Sequence, residues 1–339
     1  MKPMKPMVAI AALLVCAAAR GEVIWRTDRN GDPVAEIRNA HGECTVALRG
    51  AQVTACRFAG DEHPLLFVPA AGFDSAPVGD EFVHGGVPLL WPWFGSSGAP
   101  EPERPSWWGR LLIGWGWRER PAAAPFHATA RQALFTDGGV REGAAGTTLV
   151  LKLGPTELSR RWFPHEFELE YGITLGPRAL ALRLVTHNRN ADGRAFAYGV
   201  GYHPYLLTSD CYCTWMEGLD GAAYESTRDL PCDREGKGVW SGRLPVWPGC
   251  DLFKLPGANR VTLVDPGWRR RITLATDGGG DVVTWIQNKE LTHVKNVALR
   301  EIRDFVCIEP ANFYPDRWPT VAAGGSHAFQ TTIRVEPLP

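Results

Sequence analysis

The chain has 339 residues, 45% hydrophobic and 22% charged, enough to bury a large core. Its 36 basic and 37 acidic residues leave a formal net charge of -1. That balance argues against nucleic-acid or anionic membrane-surface partners, which are met with a basic excess.

The N-terminus, residues 1–21, reads as an export signal. Lys2 and Lys5 form a positive start, and Met7 to Ala19 is an uncharged apolar run too short to span a bilayer. Ala17-Ala18-Ala19 or Ala19-Arg20-Gly21 supplies the small-residue cleavage site. Val15 before Cys16 is a poor small residue, which disfavours a lipoprotein reading. Residues 22–339 are then one exported domain, periplasmic or secreted, and no later segment reads as transmembrane. Cys44, Cys56, Cys211, Cys213, Cys232, Cys250 and Cys307 remain, an odd set that leaves at least one thiol free. Cys44 and Cys56 flank a strand–turn–strand pattern and could face each other. Cys211-Tyr212-Cys213 lacks the second close pair that a structural zinc site needs.

From Val23 to Phe58 the pattern is short strands, with Cys44 to Leu48 and Gln52 to Phe58 alternating around Arg49-Gly50-Ala51. Leu65 to Val68 is a short buried run. Val83 to Gly95 is crowded with glycine, proline and aromatic rings, which forbids a helix. Read without other information it is a buried corner more than a pocket wall. Gly98 to Arg110 is loop, and Gly114-Trp115-Gly116 is no phosphate cradle because no helix follows. Strands and turns alternate from His127 to Leu153. The clearest signal is Phe167, Leu169, Tyr171, Ile173 and Leu175, then a turn at Gly176-Pro177-Arg178, then Leu180, Leu182 and Leu184. Period two over this length means an antiparallel pair with one buried face. Cys211 to Pro248 reads as loop covering one edge. Val261–Leu263, Arg271–Ala275 and Val282–Gln287 read as strands, Leu291 to Arg303 as room for a short helix, and Phe329 to Val335 as a closing strand. Many short strands and almost no helix give an all-β sandwich.

Two residues stand out chemically. His203 lies in Tyr202-His203-Pro204-Tyr205, and Glu309 ends the apolar run Phe305-Val306-Cys307-Ile308. A histidine titrates near neutrality and a carboxylate is a natural base, so together they suit a reaction that puts one proton on and takes another off. Taken singly, His203 is as readily a hydrogen-bonded corner residue, Glu309 a salt-bridged strand end, and Asp251 a turn residue.

Four segments in order resemble the aldose 1-epimerase (mutarotase) superfamily, nearest its hexose-6-phosphate 1-epimerase branch. Gly85-Gly86-Val87-Pro88-Leu89-Leu90-Trp91-Pro92-Trp93-Phe94-Gly95 resembles R-G-G-[IV]-P-x-x-[WF]-P-W-F-G without the leading arginine. Trp162 to Phe167 resembles W-P-h-x-F. Tyr202 to Tyr205 resembles the H-[PT]-Y-F strand end, and Val306 to Glu309 the C-[VIL]-E segment, with Gly324-Gly325 where the family turns at P-G. The similarity runs from about Glu43 to Val335. It implies a large antiparallel β-supersandwich, no metal or organic cofactor, and interconversion of sugar anomers. By that resemblance Glu309 takes the C1 hydroxyl proton while His203 protonates the ring oxygen. Asp251 would bind sugar hydroxyls, and Trp91 and Trp93 would line the pocket.

Two departures bear on the substrate. His84 stands where the family has an arginine, and its H-G-F-A-R segment is placed at Ile113-Gly114-Trp115-Gly116-Trp117, without histidine or arginine. Arg110 or Arg118 is left to compensate, and His84, Trp115 and Arg118 join the expected sugar contacts. Guanidinium matches phosphate bidentately, so these losses, with an export signal, point to a neutral aldohexose or saccharide end. The alternatives are a non-catalytic carbohydrate-binding protein, a hexose-6-phosphate 1-epimerase and a sandwich without a sugar site.

Overall fold

A computed structural model describes residues 21–73, 84–95, 124–226, 237–245, 249–286 and 296–339. Residues 1–20, which fall in the segment read as an export signal, and Cys232, Arg110, Trp115 and Arg118 lie outside the described residues.

Period-two patterning becomes antiparallel sheet throughout. Phe167–Gly176 and Ala179–Asn188 pair over their full length, Leu169 opposite Thr186 and Ile173 opposite Leu182. They sit inside a nine-stranded sheet. On one side follow Ser326–Pro337, Arg270–Asp277, Asn259–Asp265, Trp215–Glu217 and Leu244–Pro245; on the other, Gly146–Leu153 and Thr136–Gly143. A second sheet of eight strands runs Lys237–Val239, Ala223–Ser226, Gly249–Lys254, Asp281–Ile286, Phe305–Asn312, Val200–Tyr202, Leu89–Leu90, with Tyr205–Leu207 also on Phe305–Asn312. Glu22–Thr27, Pro33–Asn39, Gly42–Ala47 and Gln52–Phe58 form a four-stranded sheet. A short ladder joins Phe196–Ala197 to Thr320–Val321.

The two large sheets bury a shared core. Leu169, Tyr171, Ile173, Leu182, Leu184, Ile333 and Phe329 of the first join Tyr202, Phe253, Val306 and Ile308 of the second. Tyr202 is the rivet. Its ring stacks on Tyr171 at 5.8 Å, and its hydroxyl donates to the Phe329 carbonyl at 3.1 Å. Alternation then sends Tyr202's neighbour His203, and Ile308's neighbour Glu309, to the outer face of the eight-stranded sheet.

The all-β expectation holds, with local corrections. Residues 211–248 are not only loop: they supply four short edge strands, shared between the two large sheets. The short helix is at Glu157–Trp162, where Thr156 and Ser159 form a reciprocal capping box. Within 291–303 the described residues hold a single 3₁₀ turn, Leu299–Glu301. Cys44 and Cys56 occupy opposite positions on adjacent strands and are disulfide-bonded, while Cys211, Cys213 and Cys307 are free thiols.

Leu182 is fully buried between Ile173 and Thr331 on its two neighbouring strands. Leu182→Ala removes that contact and leaves a cavity. A loss of about 2–5 kcal/mol in urea-unfolding stability is expected; a change within error of zero contradicts this packing.

Candidate active site

The Gly/Pro-rich segment 85–88 holds His203 in place through the backbone. The His203 N–H donates to the Pro88 carbonyl at 3.0 Å, and the Tyr205 N–H to the Gly86 carbonyl at 2.9 Å. Gly86 has φ +63°, and a Cβ there would stand 2.2 Å from the Val53 carbonyl oxygen, so only glycine fits. Pro204 ends the Val200–Tyr202 pairing and lets Tyr205–Leu207 rejoin the same partner strand farther along.

His203 and Glu309 meet across this face. His203 Nε2 lies 3.3 Å from Glu309 Oε1, with side chains 6% and 2% exposed. Tyr205 stacks on the His203 ring at 4.7 Å, and Trp285 packs edge-on at 6.2 Å. Cys307, two residues before Glu309, shares its face. The Tyr205 hydroxyl and Glu309 Oε1 are buried without a hydrogen-bond partner among the described residues. Orphaned buried polar atoms of this kind mark a place built for something other than packing.

Burial sets the charge state. It pulls the His203 imidazole down to about 3, assisted by nearby His84, and pushes the Glu309 carboxyl well above its ordinary 4.5. Burial therefore favours the neutral form of each group, with the proton the pair shares on the carboxyl. The two side chains lie against each other at 3.3 Å, which leaves no room for a hexose between them.

The other expected contacts divide. His84 belongs to the cluster. Its ring lies 5.9 Å from Trp285 and 6.1 Å from Tyr205, and its Nδ1 is 3.0 Å from Asn296 Oδ1. Trp91 does not. It is fully buried on the core side against Phe167, Phe163 and Tyr198. Trp93 is 1% exposed, its indole N–H donating to the Pro125 carbonyl at 3.0 Å. The buried-corner reading of this segment is correct and the pocket-wall role of Trp91 is not. Asp251 is also misplaced. It pairs with Thr284 and through it with Ile308, whereas Leu252 pairs with Val283 and through it with Glu309. Paired residues share a face, so Asp251 belongs to the side opposite Glu309, and Cys250 takes the site side.

His127 was missed. Its ring lies 5.6 Å from His203, edge-on at 88°. The Gly95 N–H donates to His127 Nδ1 at 2.9 Å, which places the ring proton on Nε2, and the His127 N–H returns a bond to the Gly95 carbonyl. Burial lowers its pKa well below 6.5. The overlooked signal is His127-Ala128-Thr129-Ala130-Arg131, which matches H-G-F-A-R at histidine, alanine and arginine. Ala128 stands where that motif has glycine and keeps a glycine-like φ of +63°. The histidine and arginine assigned as lost from 113–117 are therefore present at 127 and 131. Arg131 Nε donates to the Phe126 carbonyl at 3.0 Å.

Comparison with known proteins shows the family and the fold. The aldose 1-epimerase family profile matches residues 112–334. Two relatives carry the name "putative glucose-6-phosphate 1-epimerase". The one from Cenchrus ciliaris is 25% identical over 278 residues, covering 81% of this chain and 77% of its own. The one from Escherichia coli K12 is 28% identical over 278 residues, covering 79% of each. A crystal structure of a "putative mutarotase" from Salmonella typhimurium has the same fold, with a TM-score of 0.72, 19% identity, and coverage of 93% of this chain and 94% of that one.

The two buried groups move stability with pH in opposite directions. Folded Glu309 keeps a proton that the unfolded chain releases near pH 4.3, so its burial costs stability increasingly as pH rises above that. Folded His203 refuses a proton that the unfolded chain takes up below about 6.5, so its burial costs stability as pH falls toward about 3. Glu309→Gln removes only the first cost. The variant is expected to match wild type near pH 4 and to gain in melting temperature toward neutral pH. A difference that does not grow with pH overturns the assignment of a buried neutral acid.

Proposed function

The chain belongs to the aldose 1-epimerase family of isomerases, and from that premise we propose that it interconverts the α and β anomers of an unphosphorylated aldohexose at His203 and Glu309. The observation that carries this reading is the 3.3 Å contact between His203 Nε2 and Glu309 Oε1 on one sheet face. A pair that shares one proton has two forms of equal net charge, neutral acid with imidazole or carboxylate with imidazolium. Burial favours the first. A hexose between the side chains brings its own hydroxyls and supports the second. The carboxylate then takes the C1 hydroxyl proton as the imidazolium protonates the ring oxygen, and the C1–O5 bond breaks. The aldehyde turns about C1–C2, and closure runs the same transfers backwards. Binding requires the two side chains to part.

His84 in place of the family arginine supports a neutral sugar, since an imidazole whose Nδ1 is engaged with Asn296 lacks the bidentate fork that matches phosphate. Among the described residues Glu309 makes no ion pair with lysine or arginine. The N-terminal segment supports export, where free hexoses and saccharide ends are the available sugars. His127 and Arg131 remove part of the motive for a non-catalytic sugar-binding protein.

His203→Ala and Glu309→Gln are each expected to lower kcat/KM for anomerisation of fresh α-glucose or α-galactose by about 10²–10⁴-fold, followed by polarimetry or NMR. Wild type is expected to prefer glucose to glucose 6-phosphate. Activity unchanged in both variants rejects the site, and a preference for the phosphate rejects the substrate.

A further inference from the structure

The acid/base pair has a third neighbour that proton transfer does not use. Cys307 Sγ, a His203 ring nitrogen and a Glu309 carboxylate oxygen all lie within 4.8 Å of one another. All three residues are buried, at 0%, 5% and 1% exposure. We propose that His203, Cys307 and Glu309 form a binding site for a thiophilic divalent cation of the zinc type, which excludes the sugar while it is bound.

The donor set is imidazole, thiolate and carboxylate, the three ligand types that zinc takes from proteins. Bond lengths of about 2.0–2.3 Å in a tetrahedral site put neighbouring donor atoms about 3.3–3.6 Å apart. The observed 3.3 Å between His203 Nε2 and Glu309 Oε1 falls in that range. Glu309 Oε1 is an orphaned, buried acceptor, so an ion there meets a group the fold leaves unsatisfied. One thiolate and one carboxylate offset a dication, leaving no net charge to bury. Three protein ligands leave the fourth position to water.

Two simpler roles for the thiol fit less well. A disulfide to Cys250 is excluded by geometry, because strand Asp281–Ile286 lies between the two cysteines. That separates their backbones by about 9.6 Å, beyond the roughly 7 Å a disulfide spans. Plain packing accounts for a small apolar side chain but not for a sulfur this close to both proton-transfer groups.

Cation binding stands apart from the epimerase reading; only the competition with sugar rests on it. Titration of the full, metal-free chain with Co²⁺ tests the binding. Wild type is expected to take up one ion with a sulfur-to-cobalt charge-transfer band, and Zn²⁺ should displace it. Cys307→Ser should lose the band, and Cys250→Ser should keep it. Glu309→Gln, whose fold loses a buried acid, should bind about 10–100-fold more weakly and serves if Cys307→Ser does not fold. No band in wild type, or a band undiminished in Cys307→Ser or in Glu309→Gln, overturns the site. In parallel, Zn²⁺ should abolish anomerisation and a chelator restore it. A chain that binds Co²⁺ without ever epimerising keeps the metal site and loses the enzyme reading; active protein indifferent to Zn²⁺ loses the competition.

Discussion

One contact governs this molecule: a carboxyl and an imidazole, both nearly sealed from water, pressed together on the outer face of a sheet whose inner face is core. Burial of each group carries a cost, and Glu309 Oε1 finds no hydrogen-bond partner among the described residues, so the fold keeps both in place against that cost. The pair is neutral in isolation, yet one proton shift makes it an ion pair without changing its net charge. That property suits a reaction in which a proton leaves one oxygen as another arrives at its neighbour.

The surrounding architecture serves that contact by alternation. Tyr202 and Ile308 anchor two strands in the core between the sheets, so the next residue on each, His203 and Glu309, must face outward together. The Gly85–Pro88 backbone, Tyr205 stacked beneath His203, and Trp285 at its edge fix the imidazole. His127 enters from a separate loop, held through Gly95 at both its backbone and its ring. The site thus draws on segments far apart in the chain, each tied down by backbone hydrogen bonds or ring packing.

Much of this was legible in the residues. Strict period two over 167–184 can only be a half-buried antiparallel pair, and a carboxylate closing an apolar run asks for an explanation. What was hidden had physical causes. Trp91 reads equally as a pocket ring or as core, and only packing against Phe167 and Phe163 decides. Asp251 stands in a plausible motif, but one step along a strand reverses a side chain, and pairing register is not visible in sequence. His127 was obscured because Ala128 adopts a glycine conformation without being glycine, so the motif lost its most conspicuous letter.

The most direct test is a double-mutant cycle on the anomerisation rate of an aldohexose, using His203→Ala, Glu309→Gln and the combination. If the two side chains work as one proton-shuttling unit, removing the second after the first has little further effect, and the double variant is about as slow as the slower single variant. Losses that multiply would show two groups acting independently and would contradict the coupled pair on which this account rests.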